Sequence, residues 1–130
     1  DCGKPLSHKN EGNTFDGHAQ IGKIWAERFL SSLGFSRSIV EDVAFLVDQH
    51  MLPAFIPRLP LSRTEHVLAS ELFPLLLEVY RCDISSTYRG PEGYYEACKT
   101  YRTYLRHVKN PFRSSDGKKM LNLYVEGFSK

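Results

Sequence analysis

Apolar residues in this chain recur at intervals of three and four, and no segment shows the strict alternation of a half-buried strand. Helices are therefore the elements left to bury its apolar surface, and the pattern predicts an all-α chain. Ile21, Ile24, Trp25, Phe29, Leu30 and Leu33 form one stripe, opened by Asp16 and stopped by Gly34, which predicts a helix over 17–33. Ser36 caps a second stripe through Ile39, Val40, Val43, Leu46, Val47, His50 and Met51, and Pro53 ends it. So few residues join the two that they should pack as an antiparallel pair.

Three prolines, Pro53, Pro57 and Pro60, forbid a regular helix over 52–61 and predict an extended or turning connection. Beyond it, Ser62-x-x-Glu65 reads as a capping box for a helix from about Arg63 to Leu72. Pro74 suits the first turn of the next helix, which carries Leu75, Leu76, Val79, Tyr80 and Asp83 to about Thr87, where Gly90 breaks it. Pro91 begins a last helix through Tyr94, Tyr95, Tyr101, Tyr104 and Val108, closed by Asn110-Pro111. The count is about five helices over residues 1–110. Residues 1–14 read as a loop, and 111–130 as a segment too poor in apolar residues to fold alone.

A chain of 130 residues with 42% hydrophobic and 25% charged residues supports one domain around a single core and is not a disordered tail. A net charge of +2 is too mild for a dedicated nucleic-acid binder, so any such role must rest on local patches. No apolar run has the length of a membrane span and no secretory signal is visible, which argues against a membrane. Cys2, Cys82 and Cys98 are odd in number and lack metal-binding spacing, which favours a reducing, cytoplasmic compartment, with Cys82 and Cys98 as small core residues.

Three ionisable residues stand where apolar ones are expected. His18 shares a helical face with Ile21, Trp25 and Phe29, His50 with Val43, Leu46 and Val47, and Asp83 with Leu76, Val79 and Tyr80. All three should point inward. His18 and His50 also lie equally far on either side of Gly34, so an antiparallel pair brings them to the same level. A buried carboxylate needs a partner, and imidazole with carboxylate is a ligand set that suits divalent first-row ions. The alternative is structural: Asp83 caps a backbone or pairs with Arg81 or Arg89, and each histidine is a hydrogen-bonded core residue. His8, His66 and His107 read as surface residues.

With those positions in view, an ordered set of short motifs becomes apparent. Asp1-x-Gly3-Lys4-Pro5, Phe15-x-Gly17-His18, Phe35-Ser36, Leu46-Val47-x-x-His50-Met51 and Arg81-x-Asp83-x-Ser85-Ser86 resemble, in that order, the HD-like domain of bacterial tRNA nucleotidyltransferases and poly(A) polymerases. The likeness spans roughly residues 1–110 and implies an HD-domain-like helical bundle. Residues 111–130 look like the start of the segment leading into that family's carboxy-terminal RNA-binding part. In such proteins an amino-terminal head, of which nothing is matched here, binds ATP or CTP with magnesium and extends the 3′ end of tRNA or another RNA. In some members the HD region is itself a phosphohydrolase, whose divalent metal (Mg, Mn or Ni) is held by a His-Asp doublet with further His and Asp residues. The resemblance makes Asp1 the aspartate of that doublet and His18, His50 and Asp83 the other metal ligands. Lys4 would offset charge on a nucleotide phosphate, or is simply a solvated loop charge. The histidine expected before Asp1 is absent, so the chain reads as a fragment with a weakened metal site and little phosphohydrolase activity.

Charge is unevenly distributed. Residues 1–65 carry seven Lys/Arg against eight Asp/Glu, and residues 66–130 ten against seven. Lys99, Arg102 and Arg106, interleaved with tyrosines, are candidate RNA contacts, since cations neutralise phosphates and aromatic rings stack on bases. The competing reading is a solvated helix whose tyrosines belong to the core.

Overall fold

The structure is a computed structural model that describes residue 4, residues 17–87 and residues 90–107. Five α-helices and two short 3-10 turns, with no strand, make up the described residues, as the three-and-four spacing requires. The helices are α1 (His18–Ser32), α2 (Arg37–Gln49), α3 (Leu61–Leu68), α4 (Phe73–Ser85) and α5 (Glu92–His107). Where its length led one to expect a single core, the chain divides into two compact units, residues 1–51 and residues 52–130. No helix among the described residues is long and apolar enough to cross a membrane. Asp1, His8, Arg89 and the 111–130 segment lie outside the described residues.

The first unit is a helical hairpin. Its turn is set by Gly34, whose φ of 79° is left-handed backbone that an L side chain adopts only under strain. That conformation lets the Gly34 N–H donate to Ser31 O at 3.1 Å and the Phe35 N–H to Leu30 O at 3.2 Å, a Schellman closure that occupies two orphan carbonyls. Ser36 then opens α2, its hydroxyl oxygen accepting from the Ile39 N–H at 3.4 Å. Nothing lies within 4 Å of a Cβ built on Gly34, so the backbone alone demands glycine there. Gly34→Ala should therefore cost about 1 kcal/mol. Urea denaturation checks this, and a variant as stable as the parent would contradict it.

The buried seam of the hairpin differs from the large-apolar stripe. Ala19 and Gly22 on α1 and Val40 and Ala44 on α2 are the buried positions, whereas Trp25 and Phe29 are 51% and 61% exposed. Small residues let two helix backbones approach closely, so hydropathy alone points to the wrong face of α1.

In the second unit the proline segment turns tightly instead of extending, as two 3-10 turns over Leu52–Ala54 and Ile56–Arg58. The capping box does not form. Pro60, extended at φ −66° and ψ 145°, is the N-cap of α3, and its carbonyl accepts from the Arg63 N–H at 3.0 Å. Ser62 therefore falls inside the first turn. The helix also stops at Leu68 and does not run to Leu72. There Ser70 Oγ accepts the Leu72 N–H at 3.2 Å, a local bond that competes with helix continuation before Pro74 opens α4.

The core of this unit is made by α4 and α5. Phe73, Leu76, Leu77, Tyr80 and Ile84 are buried along α4, and Ala97, Cys98, Tyr101 and Tyr104 along α5. Phe73 and Tyr101 meet with ring centroids 4.6 Å apart. Cys98 is a core residue as expected, and burial pushes its thiol up to about 11. Cys82 is exposed, against expectation, because it lies off the face centred on Leu76, Leu77, Tyr80 and Ile84.

Candidate functional site

His18 is the first residue of α1, and the chain enters it through Gly17 at φ 77°. His50 lies just past the last residue of α2, as its C-cap. One histidine thus starts the first arm of the hairpin and the other finishes the second. The two rings meet edge to face, with Nε2 to Nε2 3.2 Å apart. This contact shows that α1 and α2 run antiparallel with the register that their equal distances from Gly34 imply.

The hydrogen-bond roles follow from the partners. His50 Nδ1 lies 2.6 Å from Val47 O, and a carbonyl only accepts, so Nδ1 carries the proton. In the neutral ring His50 Nε2 is then a lone pair, and His18 Nε2–H donates to it. The same arrangement suits two metal ligands. Two nitrogens bound at about 2.1 Å to one ion, at angles between square and tetrahedral, lie roughly 3.0–3.4 Å apart. An Nδ1–H held by a backbone carbonyl is also the usual support of an imidazole that ligates through Nε2. His50 is buried and His18 half-buried, so the pair is sheltered yet reachable from one side.

Asp83 belongs to the second unit and is half-buried, at the rim of the α4 face whose buried positions are Tyr80 and Ile84. Its half-burial stands between the inward position that its spacing implied and an exposed one. Of its two proposed arginine partners, Arg81 donates from Nε to Glu78 Oε1 at 2.9 Å and holds that carboxyl below its ordinary range, and Arg89 lies outside the described residues. Among the described residues, no three His, Cys, Asp or Glu side chains form a metal-binding group. Lys4 is half-buried, and Asp1 lies outside the described residues.

The tyrosines of α5 differ in burial, with Tyr94 half-buried. Tyr101 and Tyr104 are buried and stack on one another with centroids 6.3 Å apart, so they serve the core and are closed to bases. Tyr95, by contrast, is 59% exposed. With exposed Lys99, Arg102 and Arg106 it follows the spacing of four, three and four that draws one stripe along a helix. Hydropathy could not sort the tyrosines, but their offsets from Cys98 and Ala97 do. Comparison with protein-family models, with curated proteins and with solved structures finds no match to this chain.

Proposed function

We propose that this chain is an HD-like helical domain of a tRNA nucleotidyltransferase or poly(A) polymerase type protein, acting in RNA 3′-end processing beside a polymerising head. The observation that carries the reading is the His18–His50 contact. The residues that the motif order equates with metal ligands stand with their Nε2 atoms 3.2 Å apart, one ring fixed by Val47 O. A divalent ion bound there would supply Lewis-acid polarisation of a phosphoryl group. His50 presents its Nε2 because its Nδ1 proton is committed, and His18 opposes it from the first turn of α1. Asp1 and Asp83 are the further ligands that the resemblance supplies, with Lys4 offsetting phosphate charge.

The RNA side of the reading rests on the exposed Tyr95, Lys99, Arg102 and Arg106 stripe. Its test is tRNA binding measured across a salt series. Affinity should fall as salt rises, and the Arg102→Ala/Arg106→Ala pair should weaken binding and flatten the log–log slope by about 1.5–2, one phosphate contact per arginine. Binding unchanged by the pair removes this face from the reading. The runner-up is a metal-dependent HD phosphohydrolase acting on nucleotide phosphoesters, which the imidazole pair favours. Manganese- or nickel-dependent turnover of bis-p-nitrophenyl phosphate or a 2′,3′-cyclic nucleotide, lost on Asp83→Ala, would put that reading first.

A further inference from the structure

The exposed cations of α5 stand in single file. Tyr95, Lys99, Arg102 and Arg106 succeed one another at steps of four, three and four residues, so they leave the helix within about 60° of one another. At about 1.5 Å of rise per residue, the three cations follow at about 4.5 and 6 Å along the axis. Those steps are longer than the roughly 3.4 Å per nucleotide of a stacked strand and suit the phosphates of an open one.

The file is narrow because both of its margins are closed to phosphate. On one side runs the buried face of α5, with Cys98 and Tyr101. On the other, Glu92 and Glu96 are exposed, about 60–100° round the helix from Tyr95. A second row of phosphates, or an anionic membrane surface, would meet those carboxylates and be repelled. At the amino-terminal end of the file stands the Tyr95 ring, 59% exposed. It packs against the half-buried Tyr94 with centroids 5.7 Å apart at a tilt of 57°, which steadies it as a stacking platform.

Resting on the RNA reading above, we infer that this file takes an unpaired RNA segment, one base stacked on Tyr95 and successive phosphates on Lys99, Arg102 and Arg106. A duplex fits it less well on two counts. Its bases are already stacked and offer no face to Tyr95, and the deep, narrow major groove of A-form RNA does not admit side chains. Its second strand would also bring phosphates over Glu92 and Glu96. An acidic peptide would supply the charge but no flat ring for Tyr95. Because every base has a stacking face, no base preference is expected.

Fluorescence anisotropy with a labelled oligo(U) RNA and an RNA duplex of the same length, at one salt concentration, tests the assignment. The single strand should bind the tighter of the two. Tyr95→Leu, at an exposed position that the core does not require, should weaken the strand about tenfold and leave the duplex unchanged, while Tyr95→Phe keeps the ring and binds as the parent does. Glu92→Gln/Glu96→Gln should raise duplex affinity more than strand affinity. A duplex bound as tightly as the strand overturns the inference. So does a Tyr95→Leu loss that is absent or equal on both RNAs, or displacement of the strand by polyglutamate of equal charge. If those results come with a loss on both RNAs for Arg102→Ala/Arg106→Ala, the RNA reading stands without its single-strand preference; if that pair changes neither, the reading itself falls.

Discussion

Nickel or manganese titrated calorimetrically into the chain is expected to bind, and His50→Ala to weaken that binding about 100-fold or more. The expectation rests on geometry already present without an ion. His50 Nδ1 is bonded to Val47 O at 2.6 Å, so its ring is oriented before any ligand arrives, and its Nε2 faces His18 Nε2 at 3.2 Å. Removing His50 takes away both the donor and its support. Because His50 is buried, the variant also opens a small void, and circular dichroism must show that it still folds. His18→Ala provides the independent arm. Its ring is only half-buried at the first residue of α1, so its loss should spare the fold while costing the same donor pair. If either well-folded variant binds the ion as tightly as the parent, the pair is a structural hydrogen bond and not a ligand set. The same conclusion follows if the parent binds no ion at all.

The meeting of these two histidines was legible in the sequence because it depends on little besides helix rise and turn position. Gly34 marks the turn, Ser36 the restart, and equal spacing on both sides sets the level. What lay beyond reach was decided by side-chain size and by long-range packing. Trp25 and Phe29 outweigh Ala19 and Gly22 on any hydropathy scale, yet the seam goes to the small residues because they permit the closest approach of two helices. Asp83 illustrates a related limit: its spacing from Leu76 and Tyr80 fits the buried face, yet it is half-buried while Ile84, one residue on, is buried. The capping box failed for a local reason. Ser62 and Glu65 have the required spacing, but Pro60 takes the N-cap role two residues earlier with its extended backbone.

Phe73→Ala should be the most damaging single substitution for stability in the second unit, at about 3–5 kcal/mol. Phe73 is fully buried at the first residue of α4, and its ring packs at a tilt of 56° against that of Tyr101, which is itself 1% exposed. Truncation removes the aromatic pair and leaves a cavity between α4 and α5 that the neighbouring Leu76, Leu77 and Ala97, all fully buried, have little room to fill by moving. A loss of that size is a large part of the roughly 5–15 kcal/mol by which domains are stable. Tyr95→Ala is the matched control. It removes an aromatic ring of similar size from the same unit, but from a position 59% exposed, and should cost no more than about 0.5 kcal/mol. Urea unfolding followed by circular dichroism separates the two. Equal midpoint shifts would mean that the α4–α5 contact is not the core of this unit.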